Sequence, residues 1–169
     1  MGERLFIFLN DEVVGLSEAN LKAKFGAVWP KFLEFQISRS KRCVEVAGSV
    51  NGYLVLQVIA YHNLSLINAT TSMDSYEEAR NAWELGWSDT SLDLPFILNY
   101  AAISELTGLD KETTRRAVLK LEKNGWLAVD KKLGITYSPS DENQALLLEL
   151  NEWELVFLGR LMALTNSPS

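Results

Sequence analysis

Between Asn99 and Asn124 two short helical patterns meet at Thr107-Gly108-Leu109-Asp110, and that junction leaves the chain few folds to choose from. Asn99 suits the N-cap of a helix over Tyr100 to Thr107, because its side-chain oxygen can take a backbone N–H that the first turn leaves open. Gly108 closes that helix where the chain must reverse tightly, Leu109 can plug the angle between two helices, and Asp110 caps the next one. In Lys111 to Lys123 the residues Thr114, Ala117, Val118 and Leu121 share one face and can pack on Ile103 and Leu106. The opposite face is left to Lys111, Thr113, Arg115, Arg116 and Lys120.

Asn124-Gly125 ends the second helix. Trp126 to Asp130 and Ile135 to Ser138 then read as two short strands joined by Lys131-Lys132-Leu133-Gly134, and Pro95 to Leu98 as a further short strand ahead of the first helix. The hairpin tip carries two lysines and a glycine. Small, hydroxyl and basic groups near the first turns of a helix fit major-groove docking, where Thr donates to a phosphate and Arg reaches guanine bidentately.

This stretch resembles the winged helix-turn-helix of bacterial regulators of the GntR and MarR kind. The resemblance is carried by Ile103-Ser104-Glu105-Leu106-Thr107-Gly108-Leu109, by Thr113-Thr114-Arg115-Arg116-Ala117-Val118, and by Leu121-Glu122-Lys123-Asn124-Gly125-Trp126-Leu127. It covers about a quarter of the chain. Where the family has a branched apolar residue this sequence has Thr114, a departure that loosens the helix packing slightly. The resemblance implies a mainly α fold with a small β-wing, a homodimer whose terminal helices interlock, and two recognition helices reading half-sites in double-stranded DNA. It implies Lys111, Thr113, Arg115, Arg116 and Lys120 in the major groove and Lys131 and Lys132 on the backbone. Winged helices also serve as protein–protein modules, so a scaffold that does not bind DNA is the competing reading.

Charge bears on that choice. The total is -6, which argues against a polyanion partner. From Lys111 to Lys132, however, seven basic residues stand against Glu112, Glu122 and Asp130, a local surplus of four positive charges on an acidic remainder.

The flanking segments read as helical extensions, with residues 1–51 before and 141–169 after a domain at 52–140 whose acidic connection runs over about 68–94. Ser17 can cap a helix bearing Leu21, Phe25, Val28, Phe32 and Phe35, with Pro30 expected to kink or split it. Gly48 to Gly52 reads as a break, and Tyr53 to Ile67 as a helix enclosed by others. A short helix fits Tyr76 to Trp87. Asp141 to Leu164 reads as a long dimerisation helix with a stripe of Leu146, Leu150, Trp153, Phe157, Leu161 and Leu164, of which the first five face its own core while Leu148, Leu155, Leu158 and Met162 lie partly elsewhere.

The remaining chemistry is sparse. One cysteine and one histidine make neither a disulfide nor a zinc site within the chain, and no nucleophile set or phosphate-cradling loop is present, so neither an enzyme, a metal nor a cofactor is expected. Cys43 reads as a buried thiol, His62 as a core or interface residue, and Trp29, Trp83, Trp87 and Trp153 as packing groups. Arg39, Lys41 and Arg42 read as an exposed helix end. No ligand-sensing segment is recognised, which leaves an effector open. The apolar run from Gly52 to Ala69 is broken by Gln57, His62 and Asn63, and the start lacks a signal-peptide core; a cytoplasmic protein is expected.

Overall fold

The computed structural model describes residues 18–70, 75–86 and 98–166. Helices dominate: α1 (Glu18–Ala23), α2 (Phe25–Ala47), α3 (Val50–Thr70), α4 (Tyr76–Gly86), α5 (Tyr100–Thr107), α6 (Lys111–Lys123) and α7 (Asp141–Asn166), with β1 (Leu127–Asp130) and β2 (Gly134–Tyr137) between α6 and α7. The strands form an antiparallel pair in which Leu127 faces Tyr137 and Asp130 faces Gly134. Among the described residues no single helix is long and apolar enough to cross a membrane. Ser17 and residues 95–97, where a cap and most of a strand were expected, lie outside the described residues, and Leu98 itself is not in a strand.

By its contacts the chain divides into two compact units, residues 41–150 and residues 1–40 with 151–169, so that α2 and α7 each contribute to both. In the first unit α3 packs on α5, α6 and β2. Val55 and Ile59 on α3, Ile103 on α5, Val118 and Leu121 on α6 and Trp126 ahead of β1 are shut off from solvent, as expected of a helix apolar on most sides. Gly52 makes the α2–α3 turn tight, since a Cβ there would stand 2.8 Å from the Ala47 carbonyl oxygen. Ser49 Oγ accepts from Gly52 N at 3.0 Å and starts α3 earlier than the apolar run alone suggests. Ile135 N donates to the Leu98 carbonyl at 2.9 Å, which covers the free edge of β2 at that point. The Asn143 amide donates to the carbonyls of Asn124 and Gly125, both at 2.8 Å, and ties the start of α7 to the turn after α6.

The other unit is built from helix faces rich in aromatic rings. Phe35 is buried between Trp153 and Phe157, with ring centroids 5.7 Å and 5.0 Å away. Arg39 Nε lies 2.8 Å from Glu154 Oε1, so this arginine is engaged within the unit, whereas Lys41 and Arg42 are exposed. Cys43 is buried.

Further details differ from expectation, and of Leu21, Phe25, Val28, Phe32 and Phe35 only Val28 and Phe35 are buried. The break in the first helical pattern falls at Lys24, and α2 runs through Pro30 without interruption. The carbonyl that Pro30 leaves without its helical donor belongs to Gly26; both residues are exposed, so water can serve that oxygen. On α7, Leu146 is 44% exposed and Leu147 packs on the core instead, which shifts the apolar stripe by one residue at that end.

Candidate nucleic-acid interface

The basic face is set by its two caps. Asn99 Oδ1 accepts from Ala102 N at 3.0 Å and opens α5. Gly108 ends it in the left-handed region, at φ 71°, a conformation that disfavours any residue with a Cβ. Asp110 Oδ1 then accepts from Thr113 N at 2.9 Å and opens α6. Leu109 packs on the core between the two helices.

α6 buries Thr114, Ala117, Val118 and Leu121 and turns its opposite side outward. The first turns of that side bring together Lys111, Thr113, Arg115 and Arg116. Thr113, expected to donate to a phosphate, gives its hydroxyl proton to Asp110 Oδ2 at 2.6 Å. Together with the Thr113 N–H, that bond holds the Asp110 carboxyl below its usual range.

Glu112 organises the two arginines. Arg115 donates to it through Nε at 2.8 Å and Nη2 at 2.9 Å, and Arg116 through Nε at 2.7 Å. These guanidinium groups pull the Glu112 carboxyl down to about 2. Both pairs follow helical spacing, Glu112 with Arg115 at i,i+3 and with Arg116 at i,i+4. Leu119, 40% exposed, and Lys123, also exposed, lie on the same outward side and were likewise missed, although both fall three or four residues from Arg115, Arg116 or Leu119.

No family model, curated protein or solved structure matches this chain. The residues themselves must carry the functional argument.

Lys120 stands apart from the arginines. Its Nζ donates to the Gly48 carbonyl at 3.2 Å, so it fastens α6 to the α2–α3 turn. Lys131 and Lys132 are exposed at the hairpin tip. Asp130 fixes that tip by accepting from Lys132 N at 2.6 Å and Leu133 N at 2.9 Å, and those N–H groups lower its carboxyl. The backbone of the tip is thus held while the lysine side chains remain outside it. The described residues contain no group of three or more His, Cys, Asp or Glu side chains placed to hold a metal ion.

Proposed function

We propose that the chain is a winged helix-turn-helix protein of the cytoplasm that binds double-stranded DNA by sequence, as a homodimeric transcription regulator. The observation that carries the reading is the division of α6 into a buried side, Thr114, Ala117, Val118 and Leu121, and an outward side bearing Lys111, Arg115 and Arg116, followed in the chain by a hairpin with Lys131 and Lys132 exposed at its tip. A capped helix with cations in its first turns can enter the major groove N-terminus first, where Arg meets guanine O6 and N7. Leu119 adds an apolar group that suits a thymine methyl. The hairpin lysines suit phosphates, which fix position without carrying sequence. Lys120, already bonded to the α2–α3 turn, contributes charge to this face and not a base contact.

The competing reading, a protein-docking scaffold, draws on the total charge of -6 and on Glu112, which neutralises part of the face. Binding of a fluorescent duplex across a salt series separates the two. Backbone contacts release counterions, so affinity should fall steeply and linearly in log–log form as salt rises. Absence of salt-dependent binding to any duplex would remove the DNA reading and leave the scaffold.

A further inference from the structure

A guanidinium offers two forks of donors, one along its side (Nε with one Nη) and one at its end (both Nη). On α6 these forks are not equally free. Glu112 holds both arginines on their Nε side, Arg115 through Nε at 2.8 Å and Nη2 at 2.9 Å and Arg116 through Nε at 2.7 Å, and both keep the end fork open, Arg116 on a side chain that is 75% exposed and Arg115 on one that is 49% exposed. One carboxylate therefore restrains both cations, and it does so on the side that would approach a duplex.

We infer that Glu112 is a specificity-setting residue of this face, one that holds Arg115 and Arg116 back from bare phosphate while leaving Arg116 able to read a base edge. The inference rests on the duplex-binding reading above. A phosphate that meets either end fork must sit close to the Glu112 carboxylate, anion against anion. A guanine edge carries no net charge, so the end fork of Arg116 can meet O6 and N7 with Glu112 still in place. The carboxylate thus weakens contacts that any sequence can make more than the one contact that only a matching sequence can make, which is specificity by disfavouring the wrong partner.

The test compares intact wild-type protein with Glu112→Gln on two duplexes, the sequence enriched by wild type from a random pool and a scrambled version of it. With Glu112→Gln the scrambled duplex should bind roughly five- to tenfold more tightly, with a salt slope steeper by about one, while the enriched duplex changes by less than about twofold. Glu112→Asp, which keeps the charge, should hold the wild-type preference. A preference unchanged in Glu112→Gln overturns the inference and spares the DNA reading. So does an equal loss of affinity for both duplexes, which would mean that Glu112 only supports the helix. Wild type that binds no duplex, or enriches no sequence, overturns both.

Discussion

In residues 41–150 the central helix α3 places Val55 and Ile59 wholly out of solvent, whereas on α2 in the other unit Trp29, Leu33 and Ile37 remain 45%, 45% and 70% exposed. α3 carries no charged residue and α2 carries six, but composition alone does not separate the two regions. They differ in what stops and turns the chain. Capped helix ends at Asn99, Gly108 and Asp110 and a tight hairpin fold the first region back on itself, so its apolar residues find one another. The second region has long helices and few turns, and its spare apolar side chains have no covering partner within the chain's described residues. An apolar surface of that extent calls for a cover.

The largest effect expected from this contrast is on stability. Trp126 is 2% exposed, and Trp126→Ala should cost about 3–5 kcal/mol in urea unfolding. Trp29→Ala should cost less, about 1–2 kcal/mol when measured on monomer, for the loss of its ring contacts with Phe25 and Phe32. Equal costs would break the contrast, because they would mean that Trp29 is covered in solution.

If the cover is a second copy, the wild-type chain should self-associate, and Trp29→Ser with Ile37→Asp should weaken association by about a hundredfold or more. Sedimentation equilibrium reads this directly. A wild-type chain that stays monomeric well above micromolar concentration would exclude the dimer, and with it any site of two symmetric halves.

DNA binding sharpens the comparison from the other side, because every proposed contact lies in residues 41–150. Arg116→Ala should lower affinity for the preferred duplex by roughly ten- to a hundredfold and blur its sequence preference, and Arg115→Ala should do less. Lys131→Ala with Lys132→Ala should weaken all duplexes alike and reduce the salt slope by about two. Equal effects of the two arginine changes would refute the assignment of the base contact to the more exposed Arg116, and an unaltered slope would take the hairpin off the backbone.

Legibility in the sequence followed the same division. From Tyr100 to Tyr137 the element ends came from residues with one physical use, such as Asn99 and Asp110 as caps, and the buried side of α6 followed from spacing alone. On α7 the pattern underdetermined the face. Apolar residues occur on nearly every side of that 26-residue helix, and its two ends serve different units, so a single stripe drawn through Leu146 need not hold along its length. The break at Lys24 was hidden for a related reason: Pro30 is the stronger local signal, but its cost is reduced where the residue whose carbonyl it orphans is exposed. Side-chain bonds such as Lys120 to Gly48 join residues far apart in the chain, and no spacing rule reports them.

The smallest expected effect concerns a flaw in the core around α6. Thr114 is fully buried, and its Oγ1 has no hydrogen-bond partner among the described residues. A buried hydroxyl without a partner loses its water and gains nothing in return, and valine fills nearly the same space without that loss. Thr114→Val should therefore stabilise the protein by about 1 kcal/mol, or raise Tm by about 2–4 °C. Duplex affinity should not change, because Thr114 lies on the side of α6 turned away from Arg115 and Arg116. A lower Tm would mean that the hydroxyl does find an acceptor, for which the Asp110 carbonyl one turn earlier is the natural choice: it already receives Thr114 N at 2.9 Å and has a second lone pair free to share. In that case Thr114 would be a second fastening at the start of α6, beside Asp110, and its loss would be felt at the helix end that carries the arginines.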